Sequence, residues 1–303
     1  MRRFLLNVLL RLLVKPIWRR TLLIAQLRHR VAIADRTLGR AAAGSPAQPE
    51  RLSDDVSALW FGNRQQLSMR GAVLYLHGGA FCVHLPALYR DFCFDLAQRT
   101  GAPVLLPEYR LSPEHPAPAA LDDCELAYRR LLCELPAHRI VLAGDSAGGN
   151  LALALLQRCK RLGLPLPGGA VLLSPLTDFS GAGWSMGFNE ARDVIFTRHA
   201  HAMVVGHYLP NMPTDHPEIS PLLGDWSGLP PLRFHVSSAE MLLDHSLRAA
   251  DRAGLQGVDV QAKVWNDLPH VFPLFGLLKE AQQCRSEIAS FINESLPEQA
   301  ATS

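Results

Sequence analysis

One serine stands in a sequence context that suits a nucleophile. The string RIVLAGDSAGGNLALALL, residues 139–156, passes from an apolar strand pattern through Gly-Asp-Ser-Ala-Gly directly into an Ala/Leu-rich helix pattern. A serine at such a strand-to-helix turn is held in a strained conformation, and Gly144 and Gly148 must lack side chains where the strand and the helix approach each other. Because the pentapeptide alone is common, the flanking elements decide its interpretation. We predict that Ser146 is a nucleophile and that the amide of Ala147, at the helix N-terminus, faces a developing oxyanion.

A second glycine-containing turn lies upstream of this serine. The strand pattern AVLYL ends in His77-Gly78-Gly79-Ala80. Two glycines directly after a strand let bare backbone N–H groups face a ligand, as in the HGGG-type oxyanion loop. We predict that the amides of Gly78 and Gly79 are oxyanion donors, with His77 and Ala80 supporting the motif. Ala80 replaces the third glycine and would be strained if its φ were positive.

The base and the acid must come later in the chain if the order is Ser, acid, His. His270 lies in the loop after the last predicted strand and before the final helix, where an imidazole can fold back over Ser146. The strand pattern PLRFHVS leads to two carboxylates. Glu240 is favoured as the acid because it lies just beyond the strand. Asp244 remains the alternate acid, although an i,i+4 pair with Arg248 would give it a structural role.

No other cluster requires a metal or an organic cofactor. His199, His201 and His207 lie close together in the sequence but lack carboxylate or cysteine companions at ligand spacing, so we interpret them as solvated or packing histidines. Asp145, next to the nucleophile, is expected to have a local hydrogen-bonding role. We therefore predict a reaction that uses protein side chains alone.

The elements that would hold these residues alternate along the chain. The predicted strands cover residues 71–77, 102–107, 139–144, 169–175, 231–237 and 258–265. The predicted helices cover residues 117–134, 147–162, 243–254 and 277–295. This pattern is typical of an α/β protein with a mostly parallel sheet and helices on both faces. Residues 178–216 break the alternation, so we predict an insertion, at about 180–215, over the carboxyl edge of the sheet, where open α/β sheets bind ligands.

Composition and charge exclude several classes of protein. The chain has 303 residues, 48% of them hydrophobic, with 30 Lys plus Arg against 28 Asp plus Glu. These values exclude a disordered chain and a coiled coil, and the small net charge indicates no nucleic-acid partner. Six cysteines without a CxxC pair are typical of reduced thiols, which favours a cytoplasmic location over a secreted one.

The N-terminal region is basic and apolar. Residues 1–40 hold ten Lys plus Arg and a single acid. On a helix, Arg3, Asn7, Arg11 and Lys15 form a polar stripe, with leucines elsewhere on the surface. Such a helix could lie on an anionic membrane surface or pack as a lid on the rest of the protein. No run of 18 uncharged apolar residues predicts a spanning helix. The small-residue and proline stretch 41–50 marks a boundary between an N-terminal helical segment, 1–50, and a catalytic domain, 51–303.

Taken together, the motifs resemble the hormone-sensitive-lipase-like family of α/β-hydrolases, the bacterial family IV carboxylesterases. The resemblance rests on seven strings: HGGAF (77–81), EYRLSPEHPAPAALDD (108–123), GDSAGGN (144–150), LLSPLTD (172–178), SGLPP (227–231), SSAEMLLD (237–244) and PHVF (269–272). Within the family the chain looks closest to the branch that includes monoterpene ε-lactone hydrolases.

The resemblance implies an α/β-hydrolase fold with a helical cap built from residues 1–50 and about 180–215. It also implies hydrolysis of short-to-medium acyl esters or lactones. The family's acid opens a D-P-L-x-D pattern, which places Glu240 at the acid position and Asp244 at the second Asp. Two other functions remain as alternatives: a non-catalytic small-ligand receptor on the same fold, and a lipid hydrolase that works at a membrane surface. A homodimer is left open.

Overall fold

The computed structural model describes residues 2–19, 23–38 and 46–296 of the chain. The strands are β1 (Gln48–Arg51), β2 (Ser57–Phe61), β3 (Ala72–Leu76), β4 (Val104–Glu108), β5 (Ile140–Asp145), β6 (Gly169–Leu173), β7 (Leu232–Ser237) and β8 (Val260–Trp265). The helices are α1 (Arg2–Leu13), α2 (Ile24–Leu38), α3 (Leu67–Arg70), α4 (Pro86–Thr100), α5 (Ala119–Leu132), α6 (Ala147–Leu162), α7 (Trp184–Phe188), α8 (Arg198–Tyr208), α9 (Leu243–Leu255) and α10 (Lys279–Ser295).

The eight strands form one mostly parallel sheet. Their order is β1-β2-β4-β3-β5-β6-β7-β8. The β1–β2 and β2–β4 pairs are antiparallel, and all pairs from β4–β3 to β7–β8 are parallel. Because the parallel strands end at the same edge, the loops that follow β3, β5, β6, β7 and β8 lie together at one carboxyl edge.

Alternate side chains of the central strands feed two separate hydrophobic cores. Leu74 and Leu76 of β3 pack in one core with residues of α5, α6 and α9. Val73 and Tyr75 of the same strand pack in the other core with residues of α4 and α10. Each core residue therefore points to the face that its strand period dictates, and the sheet is buried between two helical layers.

The predicted architecture is confirmed, with gaps in its first third. All six predicted strands and all four predicted helices are present, with ends within two residues of the predicted ones. In the first third, β1, β2, α3 and α4 were not predicted. Gln48–Arg51 joins the sheet as an edge strand, so the end of the stretch assigned to the N-terminal segment belongs to the catalytic sheet. Residues 41–45 of that stretch lie outside the described residues.

Helix α1 packs against the rest of the protein through its polar stripe. Arg11 donates to the carbonyl oxygens of Ala191 and Arg192, at 3.2 and 3.3 Å. Lys15, just beyond the helix, is buried and donates to the carbonyl oxygens of Glu190, at 2.6 Å, and of Asp193. The lid interpretation of the stripe therefore describes these contacts, because Arg11 and Lys15 are bonded to residues 190–193 of the protein. Within the described residues, none of the helices combines the length and the apolar character that crossing a membrane requires.

Candidate active site

Ser146 lies in a tight turn between β5 and α6. Its backbone has φ 53° and ψ −117°, a conformation that L-residues rarely adopt. The two predicted glycines are required by close approach: a Cβ on Gly144 would lie 2.4 Å from the carbonyl oxygen of Gly148, and a Cβ on Gly148 would lie 1.9 Å from that of Leu76. The turn therefore projects the serine hydroxyl from the carboxyl edge of the sheet.

The structure brings His270 and Glu240 to this serine. His270 Nε2 lies 3.0 Å from Ser146 Oγ, and His270 Nδ1 is hydrogen-bonded to Glu240 Oε2. Both side chains are buried. Burial lowers the pKa of His270, but the charge of Glu240 and the hydrogen bond to it outweigh burial, so this pKa is raised above the ordinary imidazole value. The arrangement leaves Nε2 free to accept the serine proton.

The second oxygen of Glu240 is held by residues that the sequence analysis did not single out. Glu240 Oε1 accepts hydrogen bonds from Ser174 Oγ, at 2.8 Å, and from the amide of Ser237. Ser174 is fully buried and has a positive φ of 49°. Its position directly after β6, at the edge where the other site residues lie, is the signal that could have identified it.

Asp244, the alternate acid, has a different environment. It lies in the first turn of α9, where its amide donates to Ser185 Oγ at 2.9 Å and its carboxylate faces Gly183 so closely that a Cβ there would lie 2.4 Å from Oδ2. The predicted pair between Asp244 and Arg248 is absent, because Arg248 donates instead to Asp178 Oδ2 at 3.0 Å. The structure thus brings Glu240, and not Asp244, to His270.

The oxyanion loop differs from the prediction at one donor. The amide of Gly78 donates to Asp145 Oδ1 at 3.0 Å, so it is already occupied inside the protein. In the described part of the chain the amides of Gly79 and Ala80 have no such partner, and both residues line the cavity at Ser146. Gly79 has φ 113° and Ala80 has φ 55°, which is the strained conformation anticipated for Ala80. The available donors therefore lie one residue further along the chain than predicted.

The carboxylate of Asp145 holds this loop through the amide of Gly78. Besides the amide of Gly78, its carboxylate accepts hydrogen bonds from Tyr75 at 2.8 Å and from Tyr89 at 2.9 Å. Burial raises the pKa of Asp145 to about 6, although the two tyrosine hydrogen bonds and the Gly78 amide act in the opposite direction. The local hydrogen-bonding role expected for Asp145 corresponds to these contacts, whereas Tyr75 and Tyr89 were missed.

His77 is a structural part of the loop. Its ring stacks on that of Tyr109 with centroids 4.1 Å apart, and the Tyr109 hydroxyl donates to the His77 carbonyl oxygen at 2.7 Å. Burial, with a smaller contribution from His84, lowers the pKa of His77 well below its usual value. This imidazole is therefore neutral and holds the backbone that leads to Gly79.

A cavity of about 100 Å³ opens at Ser146. Apolar side chains from both N-terminal helices and from the segment between them form much of its lining: Leu10, Val14, Ile17, Trp18, Val31 and Ala34. Phe196, from the insertion, also lines it and lies 6.0 Å from His270 between ring centroids. The N-terminal helices and the insertion thus border the space above the nucleophile.

Residues 189–193 lie between the end of α1 and the Glu240 loop. Lys15 contacts the carbonyl oxygen of Asp193, while Asp193 Oδ2 accepts from the amide of Met241 at 2.9 Å. Asn189 Nδ2 donates to the carbonyl oxygen of Glu240, also at 2.9 Å. Burial lowers the pKa of Lys15. Residues 189–193 therefore link the end of α1 to the peptide group between Glu240 and Met241.

The insertion histidines show no metal geometry. His201 is buried, and burial lowers its pKa, while its ring lies 6.4 Å from that of Phe179 between centroids. Among residues 2–19, 23–38 and 46–296, no three side chains of His, Cys, Asp or Glu are grouped as metal ligands would be. All six cysteines are free thiols, and only Cys133 is exposed.

Known proteins resemble this chain in sequence and in structure. A family model described as alpha/beta hydrolase fold matches residues 73–274. An acetyl-hydrolase of Streptomyces hygroscopicus is 40% identical over 66% of this chain and 67% of its own length. An esterase of Acinetobacter venetianus is 36% identical over 75% of this chain and 76% of its own. A crystal structure of a hormone-sensitive lipase from a metagenome library has a TM-score of 0.87 at 34% identity, covering 95% of this chain and 97% of the other.

Proposed function

The chain is a carboxylesterase of the hormone-sensitive-lipase group of α/β-hydrolases, and from this premise we propose that Ser146, His270 and Glu240 transfer an acyl group from an ester to water. The observation that carries the proposal is the continuous line of contacts from Ser146 Oγ through both nitrogens of His270 to the buried carboxylate of Glu240. Each neighbour in this line is within hydrogen-bond reach, as a nucleophile, its base and the group that orients the base require.

The first step forms an acyl-enzyme. His270 Nε2 takes the proton of Ser146 as its Oγ attacks the ester carbonyl, and Glu240 stabilises the resulting imidazolium. The oxyanion is received by the free amides of Gly79 and Ala80 and by Ala147 at the N-terminus of α6. His270 then protonates the leaving alcohol.

The second step regenerates the enzyme. His270 removes a proton from water, which attacks the acyl-serine carbonyl, and the same amides stabilise the second oxyanion. The serine oxygen leaves with the proton from His270, which releases the carboxylic acid. Asp145 contributes by holding Gly78, so that the following two amides stay directed at the cavity.

The cavity favours short acyl chains. Its volume of about 100 Å³ is small for a ligand pocket, which suits an acyl chain of only a few carbon atoms. A groove between α1 and α2 lies next to this cavity and shares Leu10, Val14 and Ile17 with it. We therefore propose that short acyl esters are preferred over long ones, with lactones of similar size as further substrates.

Hydrolysis of p-nitrophenyl esters from acetate to dodecanoate tests the proposal. Wild type is expected to be most active on the short esters and to lose activity towards dodecanoate. Ser146→Ala is expected to reduce kcat by roughly 10⁵-fold, since loss of the nucleophile disables the whole triad. Ser290→Ala, an equivalent change on the exposed face of α10, is the matched control and should retain full activity.

Two results would contradict this assignment. A folded wild-type protein without activity on any open ester or lactone would favour the non-catalytic receptor instead. Ester hydrolysis that persists undiminished in Ser146→Ala would place the chemistry elsewhere in the chain.

A further inference from the structure

Helix α1 presents apolar side chains outward. Residues four apart share a face of a helix, so α1 has four rows of side chains. The row of Arg3, Asn7 and Arg11 bonds to the protein, and the row of Arg2, Leu6 and Leu10 buries Leu10 while Arg2, at the start of the helix, is exposed. The other two rows are exposed and consist of Phe4, Leu5, Val8, Leu9, Leu12 and Leu13, here called the apolar face of α1. Phe4 is 69% exposed and Leu12 is 67% exposed. A water-facing helix would have polar residues in these rows.

The apolar face continues into neighbouring elements. Leu9 and Leu13 line one groove together with Ile33 of α2, and Leu5 and Leu9 line another together with Leu277, in the loop before α10. Ile33 and Leu277 are themselves exposed. A contiguous apolar surface of this kind, bordered by polar groups, marks an interaction site.

This surface adjoins the cavity that holds the nucleophile. The groove between α1 and α2 and the cavity at Ser146 have Leu10, Val14, Ile17 and Ala34 in common. A molecule that covers the apolar face of α1 would therefore lie at the mouth of the catalytic cavity.

The border of the surface is basic. Arg30 lines the groove between α1 and α2, and Arg2 lines the groove on the other side of α1. Arg19 and Arg36 are also exposed, and Asp35, the acid of this region, is buried with its oxygens bonded to the amides of α4. Asp91 and Asp95, in the second groove, are paired with Arg285. The described parts of α1 and α2 thus expose cations without a carboxylate.

We propose that the apolar face of α1 docks on an anionic lipid surface, with the leucines in the acyl boundary and Arg2 and Arg30 at the headgroups. Apolar rows bordered by arginines are the features that bind a helix in a bilayer interface. A second copy of the chain is disfavoured as the occupant, because a symmetric contact would bring the same cations of both copies together. The delivery of a lipophilic ester to Ser146 from that surface rests on the proposed function, whereas the docking does not.

The test uses the full chain carrying Ser146→Ala, so that binding is measured without hydrolysis. Co-sedimentation is measured with vesicles of phosphatidylcholine alone and of equal parts phosphatidylcholine and phosphatidylglycerol. Binding to the anionic vesicles is expected. Phe4→Ser with Leu12→Ser should weaken it about tenfold or more, because two exposed apolar side chains leave the interface. Arg2→Gln with Arg30→Gln should weaken it by a similar factor and make it less dependent on salt.

Leu255→Ser is the matched control. Leu255 is 88% exposed at the end of α9, which runs back from the catalytic edge, so this side chain lies at the opposite edge of the sheet. Its replacement should leave binding unchanged. With Ser146 restored, the Phe4 and Leu12 changes should leave hydrolysis of p-nitrophenyl acetate close to that of the parent, which verifies the fold.

Three outcomes would overturn the proposal. The first is that the folded parent does not bind to anionic vesicles. The second is that Leu255→Ser weakens vesicle binding as much as the Phe4 and Leu12 changes do. The third is a stable dimer, in sedimentation without lipid, that the Phe4 and Leu12 changes dissociate, since a second copy would then cover the face. None of these outcomes depends on whether Ser146 is the nucleophile.

Discussion

The catalytic edge and the N-terminal helices lie on opposite sides of the same cavity but are held by different contacts. Glu240 is fully buried and bonded through both carboxylate oxygens. Helix α1 is held by contacts from Arg11 and Lys15 to backbone carbonyl oxygens of residues 190–193, while its outer rows remain apolar and exposed. The reacting groups thus belong to a fully packed region, whereas part of the cavity wall belongs to α1, whose outer rows are exposed.

Strained backbone conformations are concentrated at the catalytic edge. Among the described residues, positive φ outside glycine occurs at Ala80, Phe81, Ser146, Ser174, Asp267 and Val271. Five of these six belong to the oxyanion loop, the elbow or the residues beside Glu240 and His270. Such conformations persist only where the surrounding structure determines them. From this comparison we expect the packed edge to hold the chemistry, and access and chain-length preference to depend on the helices that line the cavity.

The largest effect is expected at the acid. Glu240→Gln removes the charge that stabilises the imidazolium and orients His270, so kcat should fall roughly 10⁴-fold. Asp244→Asn makes the same chemical change four residues later and should leave kcat close to wild type, because Asp244 does not contact His270. Steady-state kinetics with p-nitrophenyl butyrate measure both. Equal losses in the two variants would contradict the assignment of Glu240.

The pH dependence of kcat/KM tests the contact between His270 and Glu240. His270 must be neutral to act as base, so kcat/KM should fall as the pH decreases through its pKa, which Glu240 holds above the ordinary imidazole value. In Glu240→Gln the residual activity should show this acidic limb at lower pH, because burial then acts on His270 without the opposing charge. If kcat/KM fell at the same pH in both proteins, Glu240 would not set the pKa of His270.

Asp145→Asn should have the next largest effect. An amide oxygen cannot satisfy the two tyrosine hydroxyls and the Gly78 amide as a carboxylate does, so the oxyanion loop should loosen and kcat should fall about tenfold. Tyr75→Phe should reduce kcat less than Asp145→Asn does, since it leaves the amide of Gly78 bonded to Asp145. Kinetics of both variants on one short ester compare the two contacts.

Asp145 should also make the stability of the protein depend on pH. Its folded pKa of about 6 lies above the unfolded value of 3.8, so the folded state binds the proton more tightly. The contribution of Asp145 to stability is therefore greatest below about pH 4 and is lost as the pH rises to about 6. In Asp145→Asn this decrease should vanish. Urea unfolding of both proteins across that interval measures it, and parallel curves would contradict the prediction.

A smaller effect, on KM, is expected where α1 is attached. Lys15→Met removes the ammonium that bonds the carbonyl oxygens of Glu190 and Asp193, so α1 should loosen over the cavity. KM for short esters should rise roughly fivefold while kcat changes little, because the lost contacts act on substrate binding. Lys160→Met, at an exposed contact with Asp225, is the control. A fall in kcat with unchanged KM would show that α1 supports the triad instead.

The smallest effect is a gain in stability. Ala80 has φ 55°, which costs an L-residue about 1 to 2 kcal/mol, whereas glycine adopts this conformation without strain. After the entropic cost of glycine in the unfolded chain, Ala80→Gly should stabilise the protein by about 0.5 kcal/mol. Ala250→Gly, within α9, should destabilise it by about 1 kcal/mol. Urea midpoints that shift in the same direction for both would refute the strain at Ala80.

The sequence predicted what depends on neighbouring residues. The alternation of apolar strands with helices predicted six strands, and the structure contains all six. The turn between strand and helix placed Ser146 at the carboxyl edge. Glycines at 144 and 148 could be explained beforehand because the close approach of a strand to its own helix is a local property. The edge strand β1 and its neighbour β2 were not predicted because the predicted alternation began only at residue 70. Helix α4, between two predicted strands, was also not predicted.

The tertiary structure decided what depends on distant residues. Glu240, not Asp244, reaches His270 because of how the loops after β7 and β8 meet. Gly78 is unavailable as a donor because Asp145, 67 residues away in the chain, takes its amide. The sequence showed that α1 has a polar stripe, but only contacts with residues 190–193 turn that stripe inward and leave the leucines exposed. Helix and turn patterns are encoded within a few residues, whereas the orientation of a helix and the partner of a buried group are set by packing across the whole chain.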